Sequence, residues 1–431
     1  MQEPTIAFYT LGCKVNQYDT TVLEAAFLDR GYRKVHHHDR ADVYVVNSCS
    51  VTARSEAKAR QAVRRFRRLH PPAIIALVGC YVQANAQSAR ELDSADILVG
   101  TGTPHAVVEE VERALGREGP VHVLSISPEQ LARVGERSRA QLKIQDGCDA
   151  FCTYCIVPLA RGPVRSRPFC QVVSHARSLL EAGYREIVIS GVRLGSYGRD
   201  LKDADLARLI ACLDDMGHYR LRLSSIEPED VTTDLMDALG RSRVFCHHLH
   251  LPLQSGSDRV LARMGRRYRS EDYRLLVEQL RNALGDVAVS TDVIVGFPGE
   301  TEEDFADTCQ LVRDMGFSRL HVFRFSPRPQ TAAAHYDPKV PPGVQKERSA
   351  HMLALGARLS EEYHHRYLGR TVEILVEEPD SDSMLVGFTR DYVRVRFGGH
   401  HDLSNHLVDI KINAVDADGM WGELAPGSGA R

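Results

Sequence analysis

At 431 residues the chain has room for about three domains, each able to bury its own core. With 43% apolar and 26% charged residues it describes a soluble globular chain, and no apolar run approaches the roughly 18–20 residues of a membrane span. The net charge of −3, from 54 basic and 57 acidic side chains, leaves any nucleic-acid binding to local patches.

The opening Met1-Gln-Glu-Pro-Thr5 carries no secretory pattern, so the ten cysteines are expected to be reduced thiols serving metal in a cytoplasmic setting. Thr5-Ile-Ala-Phe-Tyr-Thr-Leu-Gly-Cys13 reads as a strand closed by Gly-Cys. The device recurs at Asp42-Val-Tyr-Val-Val-Asn-Ser-Cys49 and Ala73-Ile-Ile-Ala-Leu-Val-Gly-Cys80. Helical periodicity over residues 18–30 and 55–69 separates these strands. A fourth strand at 97–100 and a helix at 104–115 complete an N-terminal open parallel α/β sheet over residues 1–116. Ligands of such sheets gather beyond the carboxyl ends of the strands, so Cys13, Cys49 and Cys80 are expected to converge as a metal site one thiolate short of four. One cysteine after a strand is usually a small buried apolar residue; three in the same topological position argue otherwise. His36-His-His38 reads as surface, since adjacent imidazoles do not easily face one ion.

Residues 117–139, rich in Gly, Pro, Ser and Arg, read as a linker. A short loop follows, Cys148-Asp-Ala-Phe-Cys152-Thr-Tyr-Cys155, whose thiols stand four and then three residues apart. That spacing can wrap a four-iron cube and leave one iron without a protein ligand. Zinc is the rival, but structural zinc wants a fourth Cys or His at short range, and the next cysteine is Cys170. Over residues 140–366, strands at 140–145, 186–190, 220–225, 247–253, 288–295 and 319–325 alternate with helical patterns. Six such units fall short of the eight that close a full barrel, so a partial (β/α)6 barrel is expected, with its active face at the strand carboxyl ends. Gly191, Val192, Ser225, Glu227, Gln254, Asp292 and Gly296 share that position, although each alone is more often a turn residue than a ligand.

A charged amphipathic helix at 343–368 leads to five short strands, at 371–377, 384–389, 392–397, 407–413 and 420–424. They suggest a small C-terminal β-barrel of the oligonucleotide-binding sort over residues 367–425. Arg390, Tyr392, Arg394 and Arg396 alternate along one of these strands and are expected to project from one face toward nucleic acid, a solvated face being the alternative. The basic stretches at 60–68, 161–167 and 265–269 are open to the same two readings. Residues 426–431 read as a disordered tail, and Cys170, Cys212, Cys246 and Cys309 as packing residues.

The CxxxCxxC spacing with Tyr154 before the last cysteine resembles the radical S-adenosylmethionine enzymes. Across nearly the whole chain the sequence resembles the methylthiotransferases, in which a three-cysteine domain, a radical S-adenosylmethionine barrel and a TRAM domain follow in this order. The resemblance rests on Thr10-Leu-Gly-Cys-Lys-Val-Asn16, Asn47-Ser-Cys-Ser-Val-Thr52, Gly79-Cys-Tyr81, Gly147-Cys-Asp-Ala-Phe-Cys-Thr-Tyr-Cys-Ile-Val-Pro158, Leu251-Pro-Leu-Gln-Ser-Gly256 and Gly296-Phe-Pro-Gly-Glu-Thr301. Gly12-Cys-Lys-Val-Asn16 and Ser225-Ile-Glu-Pro228 look like the branch acting on N6-threonylcarbamoyladenosine of tRNA. Ser48 and Ser50 stand where Thr is common, beside rather than at Cys49.

The resemblance implies two 4Fe-4S clusters. Cys148, Cys152 and Cys155 would hold the one that cleaves S-adenosylmethionine to a 5'-deoxyadenosyl radical. Cys13, Cys49 and Cys80 would hold an auxiliary cluster that carries the sulfur to be inserted. S-adenosylmethionine would lie against Tyr154, Gly191, Val192, Ser225, Glu227, Gln254, Asp292 and Gly296. Two molecules of it would serve to join a methylthio group to carbon 2 of the adenine at position 37, in a tRNA anticodon loop. Implied partners are tRNA, an electron donor such as flavodoxin or ferredoxin, and a sulfur donor, with no membrane. Rival readings are the same chemistry on isopentenyladenosine or a ribosomal-protein aspartate, and a non-catalytic iron–sulfur RNA-binding redox sensor.

Overall fold

The computed structural model describes residues 3–102, 104–117, 127–134, 138–377, 379–380, 384–399 and 401–426. Contacts gather the chain into two compact units: residues 1–135 with 146–165 and 326–334, and residues 136–145 with 166–325 and 335–431.

In the first unit β1 (Thr5–Thr10), β2 (Arg33–Lys34), β3 (Val43–Ser48), β4 (Ile74–Gly79) and β5 (Ile97–Val99) form one parallel sheet in the order β2-β1-β3-β4-β5. Every residue of β3 is buried, as a central parallel strand covered on both faces must be. Its alternation splits the core: Tyr44 stacks on Phe66 of helix Ala53–Leu69 with ring centres 4.4 Å apart. Val43 and Val45 pack on the opposite side with Phe27, Val108 and Val111. Within the expected linker, Pro128–Val134 is a helix, and its Leu131 packs with Tyr18 and Ala25 of helix Lys14–Leu28. One short apolar stripe in a polar stretch sufficed to dock it. The remainder of the linker at 118–126 and 135–137, and the tail after 426, lie outside the described residues.

The second unit carries β6 (Arg139–Lys143), β7 (Glu186–Ser190), β8 (Arg220–Leu223), β9 (His248–His250), β10 (Ala288–Val295) and β11 (Arg319–Arg324). Parallel ladders run β6-β7-β8 and β9-β10-β11. A single bridge between Leu221 and Phe245, with Ile226 N–H donating to the His250 carbonyl at 3.0 Å, carries the curve from one ladder to the next. Six strands with crossover helices make the open-sided α/β barrel the sequence predicts. The strand expected over 247–253 stops at His250, because Pro252 has no N–H for the ladder and Gln254 turns with φ +67°.

Alternation again sorts the side chains. Ile187, Ile189, Leu221, Leu223, Leu249 and Val289 fall on one face, each at most 1% exposed. Glu186, Ser190, Arg222, His250, Ser290 and Asp292 fall on the other, so the concave side of the barrel is polar.

Helix Pro342–His364 then crosses β11 closely: a Cβ on Gly356 would lie 2.9 Å from the Cβ of Leu320. It leads into β12 (Thr371–Val376), β13 (Leu385–Thr389), β14 (Arg394–Phe397), β15 (Leu407–Asp416) and β16 (Gly419–Leu424), a closed barrel in the order β12-β13-β14-β16-β15. Ile374, Val376, Val395, Phe397, Val408 and Ile410 fill it. The strand expected from residue 392 begins only at Arg394. Tyr392 has φ +67° and its N–H donates to the Thr389 carbonyl at 3.1 Å, closing a turn. Arg390 and Tyr392 therefore do not share a strand with Arg394 and Arg396.

Candidate functional site

Cys13 ends the short link after β1, Cys49 follows β3 directly, and Cys80 opens helix Cys80–Ala84 immediately after β4. Because β1, β3 and β4 are neighbours, the three thiols stand at one edge of the sheet. Gly12 has φ +104°, and a Cβ there would lie 2.8 Å from the Cys49 Cβ and 3.0 Å from its Sγ; only glycine admits that approach. Asn16, 1% exposed, fixes the three strand ends together. Its Nδ2 donates to the carbonyls of Leu11 at 2.8 Å and Ser48 at 2.9 Å, and the Cys80 Sγ lies 3.9 Å from its Oδ1.

Arg161, 4% exposed, completes this cluster. Its Nε donates to the Cys80 Sγ at 3.3 Å, one Nη pairs with Asp19 at 2.7 Å and Asp146 at 3.3 Å, and the other donates to the Asn16 Oδ1. Burial disfavours its charge, but Asp19, Cys80 and Asp146 more than offset this and hold the guanidinium above its ordinary range. Burial pushes the Cys49 thiol up and the Cys80 thiol to about 11, against the pull of Arg161. Metal binding to such thiols releases their protons.

The loop with the other trio lies in the same unit. Gly147 has φ +77°, and a Cβ there would sit 1.8 Å from the Pro163 carbonyl oxygen, so the loop begins where no other residue fits. Cys148 N–H donates to the Gly162 carbonyl at 3.0 Å, Phe151 turns the chain with φ +46°, and Cys155 N–H donates to the Cys152 carbonyl at 2.9 Å. Cys148, Cys152, Cys155 and Tyr154 are half-buried. After the loop, Ile156 and Ala160 pack on Cys80 and Ala84. Residues 326–334 brace the loop: Ala333 N–H donates to the Thr153 carbonyl at 2.8 Å, while Arg328 pairs with Glu56 at 2.8 Å and donates to the Ser50 carbonyl at 3.2 Å. Each set offers three thiols, the number that would leave one iron of a four-iron cluster without a protein ligand.

In the second unit a Cβ on Gly191 would lie 2.9 Å from the Gln145 Oε1, which accepts from Arg193 N–H at 2.8 Å. Val192 is half-buried and Ser225 exposed. Glu227 is paired with Arg266. Gln254 is 8% exposed, with its N–H on the Asp292 carbonyl at 2.8 Å. Gly296, at φ +74°, donates its N–H to Glu300 at 2.7 Å. Asp292 lies within β10 rather than in the turn after it, and accepts from His250 Nε2 at 3.2 Å and His321 Nδ1 at 3.1 Å. Burial alone would raise its carboxyl; the two imidazoles hold it well below the usual carboxylate range. Ser290 Oγ lies 2.9 Å from both His250 Nδ1 and His248 Nε2, extending the chain of polar contacts down the strand.

On the closed barrel, Arg394 and Arg396 share a face of β14, and both reach Asp380, at 3.6 and 3.2 Å. The Arg396 guanidinium lies 4.9 Å from the ring centre of Trp421. Arg390 instead donates to the Arg243 carbonyl at 3.0 Å, and the Tyr392 ring lies 4.5 Å from the Arg222 guanidinium. Both are spent on contacts within the second unit, which a one-face alternation did not foresee.

Sequence reasoning missed Arg161, taken as one of a solvated or RNA-facing basic stretch, and the two histidines that flank Asp292. His36, His37 and His38 lie at the surface as expected, with His36 and His38 exposed, although their ligand atoms come within 4.8 Å of one another, closer than adjacent imidazoles were expected to gather. Asn16 was present in the Gly-Cys-Lys-Val-Asn motif, and its role follows from the carbonyls around it.

The Radical SAM superfamily matches residues 142–312, and the family described as Uncharacterized protein family UPF0004 matches residues 5–100. Among solved structures, the radical S-adenosylmethionine methyltransferase TsrM from Kitasatospora setae shares the fold with a TM-score of 0.56, over 77% of each chain at 17% identity. Fold and thiol sets define a radical S-adenosylmethionine enzyme, whose cofactors are S-adenosylmethionine and 4Fe-4S clusters. The threonylcarbamoyladenosine tRNA methylthiotransferase MtaB of Bacillus subtilis is 40% identical over 95% of this chain and 93% of its own. That of Thermotoga maritima is 37% identical over 94% of each. The tRNA-2-methylthio-N(6)-dimethylallyladenosine synthase of Thermotoga petrophila is 33% identical over 96% of each. The chain belongs to the tRNA methylthiotransferase family of radical S-adenosylmethionine enzymes.

Proposed function

We propose that the protein methylthiolates carbon 2 of N6-threonylcarbamoyladenosine at position 37 of tRNA, with two molecules of S-adenosylmethionine per turnover. The observation that carries this is the gradient of likeness: 35–40% identity to four threonylcarbamoyladenosine methylthiotransferases against 33–34% to the dimethylallyladenosine synthases. The Gly12-Cys-Lys-Val-Asn16 motif points the same way. The dimethylallyladenosine branch is the second reading, supported by an identity only a few points lower.

Cys148, Cys152 and Cys155 hold the cluster that cleaves S-adenosylmethionine, and Cys13, Cys49 and Cys80 hold the auxiliary one. When bound, these groups would supply the radical chemistry that activates an aromatic C–H bond, since no side-chain base removes that hydrogen, and the sulfur that takes its place. The rest falls to the polypeptide. Gly191 and Gly296 give backbone approach to the cofactor, Gln254 and Asp292 offer polar contacts on the concave face, and Tyr154 flanks the loop. The target base lies in a single-stranded loop, so turning it outward costs less than from a duplex. Arg394 and Arg396 grip phosphate from the closed barrel, a TRAM domain over residues 367–425, with Arg390 and Tyr392 supporting it from beneath. Electrons come from a flavodoxin- or ferredoxin-type donor and sulfur from a separate donor, in the cytoplasm.

Mass spectrometry of tRNA nucleosides from cells with and without the gene tests this. Loss of 2-methylthio-N6-threonylcarbamoyladenosine, with the isopentenyl analogue unchanged, is the expected result. The reverse pattern would move the protein to the other branch.

A further inference from the structure

We infer that Arg161 is a positioning residue for the sulfur-delivering site: it ligates no metal, but donates a hydrogen bond to the Cys80 thiolate and so sets the electronic state of the group held there. The inference rests on the assignment of Cys13, Cys49 and Cys80 as a cluster site.

The geometry is specific. Arg161 comes six residues after Cys155, at the end of helix Val157–Arg161, yet its side chain turns to the other thiol trio. A guanidinium that is 4% exposed is costly to bury unless its donors are used. Here Nε takes the Cys80 Sγ at 3.3 Å, one Nη takes Asp19 and Asp146 at 2.7 and 3.3 Å, and the other takes Asn16, which itself bonds the chain before Cys13 and Cys49. One planar fork thus spans a cluster thiol, the amide that fixes the strand ends, and Asp146, two residues before Cys148. Packing repeats the link, since Ile156 and Ala160 contact Cys80 and Ala84. The stretch that carries the radical-generating thiols therefore ends by touching a ligand of the second site.

The direction of the effect follows from charge. Hydrogen bonds to cluster sulfurs are among the determinants of iron–sulfur reduction potential. A cationic donor at Cys80 favours the reduced, more negative form. Removing it takes away both the N–H and the positive charge beside Cys80, so the auxiliary potential should fall.

The test uses the full chain with Cys148→Ala, Cys152→Ala and Cys155→Ala together, so that only the strand-end trio can bind iron. After anaerobic reconstitution, iron content, the EPR spectrum of the reduced cluster and its midpoint potential are compared for Arg161, Arg161→Lys and Arg161→Gln. The expected result is a shift to more negative potential with altered g-values in Arg161→Gln, and a smaller shift in Arg161→Lys, which keeps the charge but not the fork. Unchanged potential and spectrum in Arg161→Gln overturn the inference. Should Arg161→Gln not retain a cluster, Arg161→Lys decides in the same way, an unshifted potential there overturning it. If the background protein with Arg161 intact binds no cluster, the assignment of the trio fails instead, which iron content distinguishes.

Discussion

The carboxylate of Glu186 and the guanidinium of Arg222 meet at 2.7 Å on the concave floor of the six-stranded barrel, and neither side chain has any exposed surface. Arg220 approaches the same carboxylate at 3.1 Å. Two cations thus share one buried anion, and both also donate to carbonyls of residues 388–390: Arg220 to Phe388 at 3.0 Å, Arg222 to Thr389 at 3.2 Å and to Arg390 at 3.1 Å.

Glu186→Gln should therefore be among the most destabilising single changes in the chain. It strands two buried guanidinium groups, and breaking a buried pair by removing one partner costs about 3–5 kcal/mol. Urea unfolding read by circular dichroism checks this; a loss below about 1 kcal/mol would mean that water reaches the floor.

The same carboxylate predicts an acid limb. Burial would raise it, but Arg222 and Arg220 more than offset burial and hold it at about 2, below its ordinary 4.5. A depressed carboxylate contributes stability that is full above the unfolded value and drains away as pH falls toward the folded one. Stability should decline from about pH 4.5 downward, and less steeply in Glu186→Gln. Thermal melts of both proteins between neutral pH and pH 3 provide the comparison.

The two trios should be separable. Cys148→Ala should lose 5'-deoxyadenosine formation while keeping iron at the strand ends, and Cys80→Ala should still cleave S-adenosylmethionine but deliver no methylthio product. Iron analysis with chromatographic assay of 5'-deoxyadenosine reads both. Cleavage surviving in Cys148→Ala would contradict the division.

Gly147→Ala should imitate Cys148→Ala without touching a thiol. The added methyl would sit 1.8 Å from the Pro163 carbonyl at φ +77°, and the left-handed backbone alone costs a side chain roughly 1–2 kcal/mol. Iron content equal to that of Cys148→Ala is the expected measurement, and full cluster loading would show that the loop can be re-formed.

Replacing Arg394 and Arg396 together with Ala should weaken tRNA binding at low salt. The slope of log affinity against log salt should flatten by about 1.5–2, close to one unit per phosphate contact. Arg390→Ala should flatten it less, because Arg390 lies outside β14 and does not share the face that carries Arg394 and Arg396. Equal slopes for the double variant and the parent would remove the closed barrel from the RNA interface.

Spacing made the two cysteine trios legible, because a thiol at the same place after three parallel strands, or three thiols within eight residues, has few physical explanations. Strand alternation likewise foresaw the partial barrel. What the sequence could not disclose was pairing at a distance. Arg161 looked like its neighbour Arg165, which is exposed, and only the fold turns one of them into the protein. Arg390 and Tyr392 alternated with Arg394 and Arg396 on paper, yet a left-handed turn at Tyr392 breaks the alternation, and turns that use a bulky residue at φ +67° leave no compositional trace. His250 and His321 converge on Asp292 from neighbouring strands, a relation visible only once the register is known.

The buried pairing of Arg220 and Arg222 with the turn at 388–392 bears on how this enzyme can be dissected. A shortened chain ending near residue 366 would uncover cations that the closed barrel now shields, so the catalytic half is not a portable fragment. Loss of turnover in such a truncation would report a damaged barrel floor as readily as a missing grip on RNA, and only point changes at the outer arginines can tell the two apart.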